Sequence, residues 1–379
     1  MREFRNVFDM IDYFYGEGGQ VAKADAPVLS STTGFHNDVF GAMAFSQLNY
    51  EANVFGVLPK YPWPKSGFRV ITADAGSTAG GGTSEGTVIP DTTKPTLAEV
   101  TVNPKSVIET FNVSIIQEGL VKKTADDDVG DMEFLRGYFS NIHAKRLNEQ
   151  LLRDHDTAAS AATGFESIDR VTTSSAATIA AGYATTDADI YDITRSSSSW
   201  SDAQVSHNSG TDRTLTFPMI RDLLATISAA GGKTNLIITG TDTYWRIIGL
   251  AESQVRYMGA VKQGQQFKIG INGVQTDEGI GYGVRVATLW DIPLISSQSV
   301  QKDTISRIYL LDTTTEPGTG IPRLGISLLY PTLYFESGMG AADRNPFGIN
   351  FMGTQGLYFT AGQLVCTFLA AQGQIRDLK

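Results

Sequence analysis

The chain has 379 residues, of which 41% are hydrophobic and 18% charged, with a formal net charge of −10. This length and apolar content exclude wholesale disorder and suffice for two modest domains. The acidity, without any Lys/Arg cluster, excludes a tight sequence-independent grip on DNA, and a single cysteine, Cys366, excludes an intrachain disulfide or a CxxC metal pair.

Residues 1–60 open on Phe4, Val7, Phe8 and Ile11, an i, i+3, i+4, i+7 pattern that predicts a short helix. Asp9, Asp12 and Glu17 interrupt this stretch, so it lacks the apolar core of a signal peptide, and no run of 18 apolar residues predicts a membrane span. From Gly16 to Lys60 there is little period, yet Phe35, Phe40, Phe45 and Phe55 recur, as in an arm that packs against something else or in an ordinary irregular N-terminal lobe. The low charge and the many Ser, Thr and Gly residues suit a protein that buries much of its outside against other subunits.

Tyr61-Pro-Trp-Pro64 predicts a rigid turn, since each proline fixes its φ and restrains the residue before it. Phe68–Ile71 predicts a strand, residues 75–86 a Gly/Ser-rich tip, and Leu97–Val102 the returning strand. Val107, Glu109, Phe111, Val113 and Ile115 alternate with period 2 and extend the strand reading to Glu118. Residues 61–118 thus read as a long hairpin that buries little against its own domain.

Residues 126–153 carry the strongest helix signal. Asp126–Asp128 and Asp131 sit at the positive end of the dipole, and Leu135, Tyr138, Phe139, Ile142, Leu147 and Leu151 form an apolar row. Residues 155–215 turn to Ala, Ser, Thr and Asp; Phe165, Ile168, Val171 and Ile179 suggest short strands within a loop-rich surface insertion. Residues 216–325 read as an α/β unit. Thr216 is an N-cap candidate, Pro218 sits near N1, Ile220, Leu223, Leu224 and Ile227 make the stripe, and Gly231-Gly232 stops the helix. Leu236–Thr239 reads as a buried strand, Asp242 starts a second helix, and 284–289, 292–295 and 308–311 are further strands. Strand character returns at 326–330, 333–335, 356–359 and 363–368.

Motifs for chemistry are weak. Gly232-Lys-Thr234 lacks the upstream glycine of a P-loop, and its helix-to-strand order is reversed. His36, His143, His155 and His207 are spread out, none at i, i+4 from another; His143 reads as a helix-surface residue. Asp187, Asp189 and Asp192 lack the calcium-loop pattern and read as solvated acids. No catalytic residue, cofactor or metal is expected.

The order of elements resembles the major capsid proteins of tailed bacteriophages and archaeal tailed viruses, the Hong Kong 97 phage-type fold. The resemblance rests on Glu85–Pro90 with Lys94–Thr96 as the family's E-loop and Phe134–Asp154 as its spine helix. Asn235–Thr239 with Tyr244–Leu250 matches the axial strand and helix, Trp290–Ser297 the following strand, and Leu329–Glu336 with Ile375–Leu378 the returning segment. It implies an α+β fold with an N-terminal arm (1–60), an E-loop hairpin (61–118) and a peripheral domain (119–215, spine helix 130–154). An axial domain (216–325) and a peripheral return (326–379) complete it. It further implies a non-enzymatic subunit that forms pentamers and hexamers of an icosahedral virion shell, assembled in the host cytoplasm. The shell would enclose double-stranded DNA without reading its sequence or touching a membrane, with scaffolding, portal and decoration proteins as separate partners. Trp63 and Pro64 at the hairpin base, Gly80, Gly81 and Gly82 at its tip, and Phe134, Tyr138 and Ile142 on the spine are the expected contact residues. Asp291 departs from the family's usual Gly. The alternatives are an encapsulin-type shell around cargo protein and a soluble α/β enzyme built on 216–325.

Overall fold

The computed structural model describes residues 51–73, 84–86, 94–114, 116, 131–154, 164–255, 286–316, 318–338 and 353–379. Expectations for the N-terminal arm before residue 51 and for Gly80, Gly81 and Gly82 lie outside them. The chain divides into two compact units. The smaller comprises Met1–Gln47, Thr110–Tyr138 and Phe335–Leu357; the larger comprises Leu48–Glu109, Phe139–Tyr334 and Tyr358–Lys379.

In the larger unit a short helix α1 (Asn53–Val57) leads to β1 (Lys60–Pro62), whose prolines keep it to three residues. The antiparallel pair β2 (Gly67–Ala73) and β3 (Thr96–Thr101) forms its own two-stranded sheet. The strand β4 (Lys105–Ser114), expected to continue the hairpin, instead joins a four-stranded sheet in the order β1-β10-β11-β4, where β10 is Leu324–Gly338 and β11 is Gly353–Cys366. Burial accompanies the switch: Val107, Phe111 and Val113, on one face of β4 by their alternation, are all buried, Val107 in the core of the larger unit.

The long helix α2 runs Asp131–Leu152, 22 residues. Its buried row is Met132, Leu135, His143, Leu147, Leu151 and Leu152, close to the predicted stripe but rotated so that Tyr138 and Ile142 lie on its flank. In the smaller unit Arg136 pairs with Glu336, and the ring of Phe111 crosses Gly356 so closely that a Cβ there would sit 2.3 Å from it.

The Ser/Thr-rich stretch departs most from expectation. From Phe165 to Ser175 every residue is buried, and the predicted short strands are short helices, α3 (Ile168–Val171) and α4 (Ser175–Ala180). Ser167 and Ser174 cap them, each accepting the N–H three residues on at 3.2 Å. The hydroxyls that suggested a solvated surface are spent on helix ends, and the small side chains let these turns pack inside.

Six strands form the second large sheet, in the order β5-β12-β9-β6-β8-β7: β5 (Gln204–Ser206), β6 (Leu236–Thr239), β7 (Val286–Leu289), β8 (Ile292–Ser296), β9 (Ile308–Leu311) and β12 (Gly373–Ile375). Helix α5 (Phe217–Ala229) ends where Gly231 takes φ of 86°, and α6 (Thr241–Val255) follows β6. Ile220, Leu223, Ile227, Tyr244 and Ile247 cover Ile237, Leu294, Ile308 and Leu310 in a core separate from the larger one that holds Leu147 and Tyr309. The C-terminal segment, placed by the resemblance in the peripheral return, supplies β12 to this sheet between β5 and β9. Ile375 and Leu378 are wholly buried there, which removes apolar side chains from water.

Candidate assembly surfaces

The β2–β3 hairpin has two chemically distinct faces because successive side chains alternate. Phe68 faces Val100 and Val70 faces Ala98; Phe68, Val70 and buried Val100 pack against the larger core. The hairpin base is therefore anchored on its own chain, contrary to the sequence expectation. The opposite face carries the Arg69–Glu99 ion pair at 2.8 Å and then Ile71 opposite Leu97, left 65% and 51% exposed. An apolar cross-strand pair held open to water is a surface that gains free energy when covered.

Trp63 is half-buried against the core and donates its backbone N–H to the Leu328 carbonyl at 2.9 Å, which fixes the chain entering the hairpin; Pro64 is exposed. On α2, Phe134 and Tyr138 stack with centroids 6.3 Å apart, and both, like Ile142, are half-buried. The hairpin-base pair and the spine trio lie on separate elements. Further exposed apolar groups are Leu329 and Tyr330 on β10, Trp245 on α6 and Trp290. Trp290 and Asp291 form the two-residue turn between β7 and β8 with φ of 49° and 65°, a left-handed pair with no glycine, and Trp290 leans on Phe217.

The larger unit also holds a buried charged centre that local sequence windows could not reveal. The buried Arg307 guanidinium meets Asp169 and Asp154 at 3.0 and 3.1 Å and Asp303 at 3.0 Å. Asp169 also accepts from the Tyr309 hydroxyl at 2.9 Å and the Gln374 amide at 2.7 Å. Burial alone would lower the Arg307 pKa; the carboxylates and Tyr309 outweigh it and raise it, so the cation stays charged. The only sequence hint was the apolar run 308–311 beginning directly after an arginine.

His143, expected on the helix surface, is buried. Its Nε2 lies 2.7 Å from the Thr360 hydroxyl and its ring stacks on Tyr358; burial lowers its pKa. Cys366 is equally enclosed, and burial pushes its thiol up to about 12, leaving it un-ionised at neutral pH. Asp187 and Asp189 accept backbone N–H groups from Ala184 and Arg195. Among the described residues no three His, Cys, Asp or Glu side chains converge as a metal-binding group, and no helix is long and apolar enough to cross a membrane. Among the described residues, open polar clefts include one of about 370 Å³ beside Lys145, Glu149 and Arg153 and one of about 460 Å³ beside Asn103, Arg170 and Asp192.

No protein-family model and no curated protein matches the sequence. Among solved structures the chain is similar to the cyanophage A-1(L) capsid asymmetric unit, with a TM-score of 0.58 at 14% identity over 89% of this chain and 97% of that one. It is also similar to the capsid of a native GTA particle, with a TM-score of 0.55 at 10% identity over 88% of this chain and 92% of that one. At these identities the likeness is one of fold. The chain has the α+β fold of these capsid chains, the Hong Kong 97 type that its element order resembles.

Proposed function

We propose that this chain is the major capsid protein of a tailed virus: a structural subunit, without catalytic activity, that forms the pentamers and hexamers of an icosahedral head around double-stranded DNA. One observation carries the reading. The fold likeness spans 89% of this chain and 97% of the cyanophage capsid chain, so a capsid subunit is matched nearly end to end. The surfaces support it. The hairpin holds one face on its own core and offers Ile71 and Leu97 outward, and half-buried Phe134, Tyr138 and Ile142 remain partly open on the spine. Several such contacts per subunit give a shell its cooperative stability, since each alone is weak. The formal charge of −10 fits a shell that encloses DNA without gripping it. Scaffolding, portal and decoration proteins are the further partners of this reading.

Negative-stain electron microscopy of the purified protein tests it. Closed polyhedral shells, pentamers or hexamers are expected. A monodisperse monomer or dimer at every concentration and salt condition would overturn it.

A further inference from the structure

The helix α1 begins without a cap of its own. Its N-cap position is Ala52, which has no side-chain acceptor, so the first N–H groups of the helix need a partner from elsewhere. Asn148, on α2 and 94 residues away, supplies it. Its Oδ1 accepts from the N–H of Val54 at 3.1 Å and of Phe55 at 3.3 Å. Its Nδ2 donates to the Ser297 hydroxyl at 3.3 Å, just beyond the end of β8. Asn53 runs parallel to this link, donating its amide to the Ser296 carbonyl at 3.0 Å. Ser297 is itself held by its N–H to the Thr239 carbonyl at 2.9 Å, at the end of β6. Asn148 is wholly buried, and its side chain ties α1 to the segment that follows β8.

A buried amide in a helix interior is costly unless every bond is made, and it confers register more than stability. Here the register concerns the run 53–63. That run is pinned at its start by Asn148 and Asn53. At its end it is pinned by the pairing of β1 with Ile326–Leu328 and by the Trp63–Leu328 bond. Four residues later β2 begins. We propose that Asn148 is a positioning residue for assembly: it locks the segment entering the hairpin to the long helix and the six-stranded sheet, and so sets the angle at which Ile71 and Leu97 are presented to a neighbouring copy. The assembly half of this claim rests on the capsid reading; the clasp itself does not.

The test compares wild type with Asn148→Leu, which keeps the bulk but removes both functions of the amide, and Asn148→Asp, which keeps the acceptor. Two readouts are taken: amide hydrogen exchange of Val54 and Phe55, and the size distribution of shells by electron microscopy. Asn148→Leu is expected to speed exchange at Val54 and Phe55 about tenfold, the change that loss of a helix cap corresponds to. Exchange within β6 should stay unchanged, and shells should become mixed in size. Asn148→Asp should restore slow exchange and uniform shells. Unchanged exchange in Asn148→Leu overturns the clasp; faster exchange with wild-type shells overturns the positioning role. If Asn148→Leu does not fold, Asn148→Ala, which removes the same acceptor from Val54 and Phe55, is read the same way. Failure of wild type to form any shell refutes the capsid reading, and the exchange data still decide the clasp.

Discussion

Replacing Asp169 by Ala removes the acceptor at the middle of the buried charged centre. The carboxylate meets Arg307 Nη1 at 3.0 and 3.1 Å, Tyr309 Oη at 2.9 Å and Gln374 Nε2 at 2.7 Å, and it is wholly buried. Breaking a buried ion pair on one side costs about 3–5 kcal/mol. Asp154 and Asp303 still face Arg307, which places the loss of the pair near about 3 kcal/mol. Loss of the acceptor for a buried hydroxyl and a buried amide adds about 1 kcal/mol or more. The expected loss is thus about 4 kcal/mol, a large share of the roughly 5–15 kcal/mol that holds a folded protein together. Asp154 is partly open to solvent, so Asp154→Ala should cost only about 1 kcal/mol. Urea unfolding of the purified chain, followed by tryptophan fluorescence, measures both. A second variant, Arg307→Met, should cost at least as much as Asp169→Ala, because it removes the cation that Asp169, Asp154 and Asp303 share. An Asp169→Ala cost equal to or below that of Asp154→Ala would refute the view that this centre joins α3, β9 and β12.

His143 gives a pH dependence whose sign follows from its burial. Its folded pKa lies below the unfolded value of about 6.5, so the stability it contributes is present above that pH and is lost as pH falls from there towards the folded value. The unfolding midpoint should drop on moving from about pH 7 to about pH 5, and His143→Leu should flatten that drop; an equal drop in both proteins would show that other groups govern it. Asp291→Gly should stabilise the subunit by about 0.5–1 kcal/mol, since it frees the second left-handed position of the β7–β8 turn, and a loss of stability in thermal unfolding would contradict this. The Cys366 thiol should resist an aromatic disulfide reagent at about pH 8 in the native subunit and react once the chain is unfolded in denaturant, because burial holds its pKa at about 12; rapid native labelling would argue that this region opens.

Much of the fold was legible because the relevant signals are local. The helix Asp131–Leu152 announced itself by its apolar row and acidic start, and Leu236–Thr239, Ile292–Ser296 and Ile308–Leu311 by short apolar runs bounded by turn residues. The stretch 164–215 was misread because composition reports polarity and not what the polar groups do. Thr172 and Thr178 are buried with their hydroxyls bonded to carbonyls four residues back, and Arg195 is buried while donating to the carbonyls of Thr173 and Val171. A sequence window sees hydroxyls and infers water; only the packed structure shows that backbone takes its place.

The hairpin was legible in part. The hairpin strands were found, but which face points outward depends on the pairing of Ile71 with Leu97, 26 positions on, and on Phe68 and Val70 meeting the core. Asn148, His143 and Asp169 escaped for one reason. Each makes its decisive bonds to residues 94 to 217 positions away, beyond any periodicity or motif. They are the polar residues that a stripe argument assigns to the solvent side by default.

The central claim is that this chain tiles a shell around double-stranded DNA. The most direct measurement is made on purified native particles containing the chain, treated with nuclease, then opened and read for absorbance at 260 and 280 nm, with the contents tested for sensitivity to a double-strand-specific nuclease. The account predicts protected double-stranded DNA inside closed shells. Shells that hold only protein, or a chain that never leaves the monomeric state, would contradict it.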